Sequence, residues 1–448
     1  MPPHRRKTSS AAKAWRLALA LALGLWGVRV SMHGLAADPV PGGAPVQELL
    51  TDPQGRTEEE KALLAGCEER IRTHRMAPIS VTVVNAQGQP VPGAQVHVAQ
   101  TQHAFLFGCN IFALEAHATS ELNQAYADQF AALLNYATLP FYWGFYEPQP
   151  GQTRQSDLMR MARWCQERGI ATKGHPLVWH EVVPPWLDEQ VAKMTALNAP
   201  AAVERLLETR VRDIVRTFAG LVDRWDVINE ATVSSGVRNG VGDWVREIGA
   251  TEAVRRSLQW AREAAPHAVL VVNDFNIGPT AFPDMLQELN ASGAPYDAIG
   301  IQSHMHMGTQ PFTAWWHVCD RYAQFGKPVH FTEMTVLSGR LKTDTDWHGH
   351  HAGWDTTPEG EQLQAEYVAN LYRVLFNHPA VEAITWWDFS DAAAWQGAPA
   401  GLVRKDMTPK PVYKRLLGLI KGDWWTDVRA AADENGLVDL RAFLGSYR

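Results

Sequence analysis

A (β/α)8 barrel carrying a small β appendage is the α/β fold that this sequence predicts. Three observations predict it. Short β-rich runs alternate eight times with helix-compatible segments, and the polar residues of those runs gather at their C-terminal ends. Turn-rich, alternating segments flank the array at both ends of the 448-residue chain.

Residues 1–37 read as a secretory signal peptide. Arg5, Arg6, Lys7, Lys13 and Arg16 precede the apolar run LALALALGLWG at 17–27, and small residues Ala36 and Ala37 follow. Export to the periplasm or the exterior is therefore expected, with cleavage near Ala37. The Arg5–Arg6 pair does not choose between the general and the twin-arginine route. The run is short for a bilayer span, so membrane attachment is expected only if the segment stays uncleaved.

Residues 38–103 read as an extension. DPVPGGAPV at 38–46 is linker-like, 56–75 is charged and helix-compatible, and ISVTVVNAQGQPVPGAQVHVAQ at 79–100 alternates around Gly and Pro turns like a β-hairpin. The barrel is expected over 104–420. Its strands are FLFGCNI (105–111), LNYATLP (134–140), ATKGHPLVWH (171–180), RWDVINE (224–230), AVLVVND (268–274), AIGIQSH (298–304), PVHFTEM (328–334) and AITWWDFSD (383–391). Helix-compatible stretches such as SDLMRMARWCQERG fill the gaps. The remaining 421–448 is a C-terminal extension whose GLVDLRAFLGSYR is strand-like, so the two ends are expected to share the appendage.

His175, His180, Asn229, Glu230, Asp274, Gln302, His304, Glu333 and Asp391 all fall at or just beyond the C-terminal ends of strands. In a barrel those ends meet at one face, where barrel active sites lie. Two glutamates stand out because each terminates an apolar strand, and 18 Trp supply aromatic surface. Paired carboxylates beside Trp are the equipment of glycoside hydrolysis, one protonated to assist the leaving oxygen and one ionised to attack. Trp faces stack on the apolar faces of a pyranose.

Removal of 1–37 takes away six basic residues and no acidic ones, moving the formal charge from −7 to about −13. That acidity argues against nucleic acid or an anionic membrane as partner. A monomer acting on a neutral polysaccharide or oligosaccharide is expected, with no cofactor and no metal. The runs HGHH (348–351) and SHMH (303–306) are the features a metal enzyme would use. A barrel that holds a glycan without cutting it is a further alternative, and retention of both glutamates argues against it. Cys67, Cys109, Cys165 and Cys319 are widely spaced, and isolated thiols are the expectation.

GHPLVWH (174–180), WDVINEA (225–231), NDFN (273–276), IGIQSH (299–304), HFTEM (330–334) and WWDFSDAAAW (386–395) resemble, in order, the motifs of the family 10 glycoside hydrolases, largely endo-1,4-β-xylanases. The resemblance spans roughly 104–420, and both terminal extensions look like those of plant-type members. It implies a retaining, endo-1,4-β-xylanase-like hydrolase with Glu230 as general acid/base and Glu333 as nucleophile. It further implies Asn229 at the 2-hydroxyl of the reacting sugar, with His175, Trp179, Gln302, His304, Trp387 and Trp395 lining the same subsite.

Two departures stand against the family pattern. Thr138, Leu139 and Tyr142 occupy the places of a Glu-Asn-x-x-Lys motif that grips the next sugar on the non-reducing side. Action on a different or decorated β-glycan is the alternative this raises. Thr335 replaces an Asp that supports the subsite His, so a different orientation of His304 is expected.

Overall fold

The computed structural model describes residues 56–194 and 198–448, so the expected signal peptide and the 38–46 linker lie outside the described residues. Fourteen strands are present among them: β1 Met76–Thr82, β2 Gln95–His103, β3 Leu106–Asn110, β4 Tyr136–Pro140, β5 Ala171–His175, β6 Arg224–Asn229, β7 Val269–Asp274, β8 Ala298–Ile301, β9 His304–Met305, β10 Val329–Val336, β11 Val381–Trp386, β12 Asp427–Ala431, β13 Leu437–Phe443 and β14 Gly445–Tyr447. Eight of them close a parallel barrel in the order β3-β4-β5-β6-β7-β8-β10-β11, and β11 pairs back onto β3. Each expected run contains its strand, and β9 prolongs the β8 run after a break at Gln302 and Ser303.

Burial explains the barrel. Strands such as Tyr136–Pro140 and Val329–Val336 are buried along their whole length, as parallel strands covered on both faces must be. Helices Gln155–Gln166, Ala199–Thr217, Ala250–Ala264 and Pro358–Asn377 form part of the outer layer, each with an apolar stripe turned inward. Their ends are capped locally: Asn198 and Thr357 accept from the backbone N–H three residues on, and Pro200 and Pro358 sit in the first turn. One apolar core joins strands to helices, with Trp225, Phe107, Phe130 and Tyr372 fully enclosed. Cys67, Cys109, Cys165 and Cys319 are free, buried thiols. No helix among the described residues is long and apolar enough to cross a membrane.

The appendage differs from expectation in its pairing. The two halves of 79–100 meet near their turn, through a Val84–Pro90 bridge and the hydrogen bonds from Asn85 N to Gln89 O (2.9 Å) and from Val91 N to Val83 O (3.0 Å), and do not pair along β1 and β2. Instead β1 runs antiparallel to β13, and β2 runs antiparallel to β12 and β14. The alternation that suggested a hairpin is genuine, but strands from the far end of the chain satisfy the edges. Arg75 ties this unit to the barrel floor by donating to the carbonyls of His378 (2.6 Å) and Val381 (2.7 Å).

Candidate active site

β6 ends at Asn229, and the next residue leaves the strand in the left-handed region, with Glu230 at φ 55° and ψ 41°. A non-glycine residue pays backbone strain for that conformation, and such strain collects at functional sites. The turn carries the Glu230 carboxylate into the barrel mouth. Ser303, between Gln302 and His304, also has a positive φ, 62°. The β10–β11 register slips between Phe331 and Met334, around Glu333; irregularities of this kind re-aim side chains beside active sites.

Glu230 is 9% exposed and Glu333 4%. Trp179 donates its indole N–H to Glu230 Oε2 (3.0 Å), and Gln302 and Asn229 donate to Oε1 (2.7 and 3.1 Å). Asn273 donates to Glu333 Oε1 (2.8 Å), and His304 Nε2 lies 3.1 Å from Oε2. Asn273 also donates to Asn229 Oδ1 (2.7 Å), so one amide spans both carboxylate neighbourhoods. His175 Nδ1 lies 2.7 Å from Asp226 Oδ2 and 3.9 Å from Glu333 Oε1, and Lys173 donates to the same Asp226 oxygen (2.6 Å).

These surroundings drive the two glutamates apart. Burial, then the nearby Glu181 charge, pushes Glu230 up to about 8. Burial acts upward on Glu333 too, but His175, His304 and Lys173 more than offset it and hold its carboxyl below the usual value. At neutral pH one is an acid and the other an anion. His180, bonded to Ser234 Oγ at 2.8 Å, is driven down to about 4 by burial and stays neutral.

The aromatic residues complete the pocket. Trp387 lies 5.4 Å from the His175 ring and 5.8 Å from His304, and Trp395 lies 5.0 Å from His304, centroid to centroid. All nine expected site residues, Glu230, Glu333, His175, Trp179, Asn229, Gln302, His304, Trp387 and Trp395, thus belong to one connected cluster. Asp274 and Asp391 do not. Asp274 caps the turn after Glu230 through Thr232 N and Oγ1 (3.1 and 2.9 Å), and Asp391 pairs with Lys410 (2.8 Å).

The departures resolve unequally. Thr138 lies beside Lys173 in register, facing the barrel interior. Leu139 lies beside Gly174, whose missing side chain would strike Trp225, and packs in the apolar core on the helix side. Tyr142 enters the site, 5.4 Å from His175 and 5.5 Å from Trp179. His304 is not left without support: Thr335 Oγ1 lies 3.0 Å from its Nδ1, so a hydroxyl serves there.

Several site residues escaped the sequence reading. Asn273 sits one position before the strand-terminal Asp274 that drew attention. Asp226 and Lys173 lie inside runs read as strand core. Period-two alternation from Glu230 points at Asp226, and that was the available signal. Of the histidine runs, His348 lies 3.9 Å from Glu181, His351 lies 3.2 Å from Lys342 Nζ, and the His304 and His306 rings lie tilted to one another at 5.6 Å. Among the described residues, no group of three or more His, Cys, Asp or Glu gathers as metal ligands.

A family model described as "Glycosyl hydrolase family 10" matches residues 97–418. The endo-1,4-beta-xylanase B of Thermotoga neapolitana is 30% identical over 295 residues, which is 62% of this chain and 78% of that protein. The anti-sigma-I factor RsgI6 of Acetivibrio thermocellus is 25% identical over 85% of this chain and 45% of its own length. Among solved structures, xylanase 10B from Thermotoga petrophila in complex with xylobiose superposes with a TM-score of 0.60 at 24% identity, covering 71% of this chain and 95% of that one.

Proposed function

Because the chain belongs to glycosyl hydrolase family 10 and is a glycosidase, we propose that it cleaves β-1,4-linked polysaccharide, xylan-type chains first, by a retaining two-glutamate double displacement. The observation that carries this reading is a pair of buried glutamates joined through Asn229 and Asn273, one set among carboxylates that push it up and the other among His175, His304 and Lys173 that hold it down. The similar xylanases, and the xylobiose bound to one fold neighbour, support the substrate class.

In the first step Glu333 attacks the anomeric carbon as the glycosidic C–O bond breaks, and Glu230 gives its proton to the departing oxygen. In the second, Glu230 takes a proton from water as that water displaces Glu333, restoring both groups and the original anomeric configuration. Retention requires the carboxyl groups about 5–5.5 Å apart. In this reading Asn229 meets the sugar's 2-hydroxyl, and Trp387 and Trp395 face its ring. The aromatic Tyr142 favours a decorated or different β-glycan as the second reading of the substrate.

The roles are tested by substitution. Glu333→Ala should abolish turnover on every substrate, because no nucleophile remains. Glu230→Ala should lose least on nitrophenyl glycosides, whose leaving group needs no proton. Equal losses on nitrophenyl and natural substrates would contradict Glu230 as the acid, and α-configured first product would contradict retention. We propose further that the protein is exported. Sequencing the N-terminus of the secreted form should find a start close to residue 38, and an intact residue 1 on cytoplasmic protein would refute export.

A further inference from the structure

We propose that the site is walled on its glycone side, so that the enzyme removes single sugars from the non-reducing ends of its chains; this rests on the xylan-type reading above. The side is set by the chemistry. The sugar that keeps the reacting carbon lies against the groups gathered on Glu333, namely His175, His304 and Trp387, while the departing chain lies on the Glu230 side.

Behind those groups stands an aromatic arc. Phe112, just after β3, meets Trp387 edge-on at 5.5 Å, and Tyr142, just after β4, meets Phe112 at 5.9 Å and Trp179 at 5.5 Å. The arc therefore runs without a break from the strand-eight loop through strands one and two to strand three. A second sugar on this side would have to occupy the space of these rings.

A strap closes the top. The loop after β10 crosses the mouth, and His348 reaches Glu181 after β5 at 3.9 Å. β10 and β5 are the seventh and third barrel strands, diametrically opposed in a ring of eight. The strap is anchored along its way. Trp347 stacks on Trp395 (5.9 Å, 22°), Gln396 donates to the Trp347 carbonyl (2.9 Å), His351 N donates to Gln396 O (2.8 Å), and Lys342 N donates to His306 O (2.8 Å). Strands seven, eight, one, two and three are thus bridged. The strap touches the loop after β9 through His306 and ends at Glu181, whose charge acts on Glu230. The sector of β6 and β7 is the one that neither arc nor strap crosses, and it is there, beyond Glu230, that a departing chain would extend.

The test compares nitrophenol release from 4-nitrophenyl β-xyloside and 4-nitrophenyl β-xylobioside, together with the first products from xylohexaose. Release from the bioside needs two sugars on the glycone side; release from the monoside needs one. The expected result is a kcat/KM at least about tenfold higher on the monoside, with xylose as the first product from xylohexaose. In Phe112→Ala/Tyr142→Ala, whose truncated rings are only half-buried, the bioside-to-monoside ratio should rise. Bioside release as fast as monoside release, or xylobiose and longer first products, would overturn the wall while leaving the glycosidase reading intact. Failure to cleave any of the three would instead overturn the xylan-type reading, and this inference with it.

Discussion

Glu230 and Glu333 carry the same side chain, so their different titration is a property of neighbours. Glu230 is surrounded by burial and by the carboxylates of Glu181, Glu333 and Asp274, whereas Glu333 faces His175, His304 and Lys173. The kcat/KM profile should therefore be a bell, with an acid limb below the usual carboxylate value from Glu333 and an alkaline limb near 8 from Glu230. An alkaline limb unmoved in Glu230→Gln would disprove that origin. Stability follows the same group. A raised folded pKa means stability that is fully present below the unfolded value of about 4.3 and is lost as pH rises toward 8. Glu230→Gln removes this loss. Its gain over the parent in urea unfolding should be near zero at pH 4 and grow to a few kcal/mol at pH 7, at up to about 1.4 kcal/mol per pH unit. A constant difference across that range would contradict the link.

At the scale of elements, β4 shows how register decides what a motif position can do. Thr138 and Leu139 are adjacent in sequence but face opposite sides of the barrel wall. Leu139 packs beneath the helices at 0% exposure, so Leu139→Asn would strand an amide in the apolar layer rather than add a sugar ligand. The expected cost is about 3 kcal/mol or more, from lost packing and an unpaired polar group. Tyr142→Lys, at a half-buried position open to the site, should cost much less. Urea denaturation of the two variants compares them, and equal midpoints would refute the outward placement of Leu139.

For the whole molecule, the β appendage links chain ends across more than 300 residues: Met76 pairs with Phe443 and Val98 with Val428. Deleting Asp427–Arg448 would bare the edges of β1 and β2 and uncover the rings that Phe443 packs against, His103 and Phe376. Exposed edges invite pairing with other chains. The shortened protein should melt about 5–10 °C lower and scatter light on heating, although the catalytic face lies on barrel loops. A deletion variant with the parent's melting temperature and no aggregation would show that the appendage is dispensable.

The eight strands, their order and the two glutamates proposed as the catalytic pair were legible in the amino-acid sequence. Each is a local signal: an apolar run, its length, and a carboxylate where the run stops. The matched motifs then assigned His175, Gln302, His304 and the tryptophans to the same site. Other features depended on contacts between distant segments. Period two within β7 cannot say whether Asn273 or Asp274 faces Glu333, because that depends on how the strand registers with its neighbours. The alternation of 79–100 cannot name its partners, which lie at the other end of the chain. Thr335 shows by its place beside Nδ1 that a hydroxyl can stand behind His304, which residue type alone did not suggest. The contact between Glu181 and His348 joins loops 167 positions apart. Strand periodicity is written in consecutive residues, whereas register, loop crossings and the company each carboxylate keeps exist only once the barrel has closed.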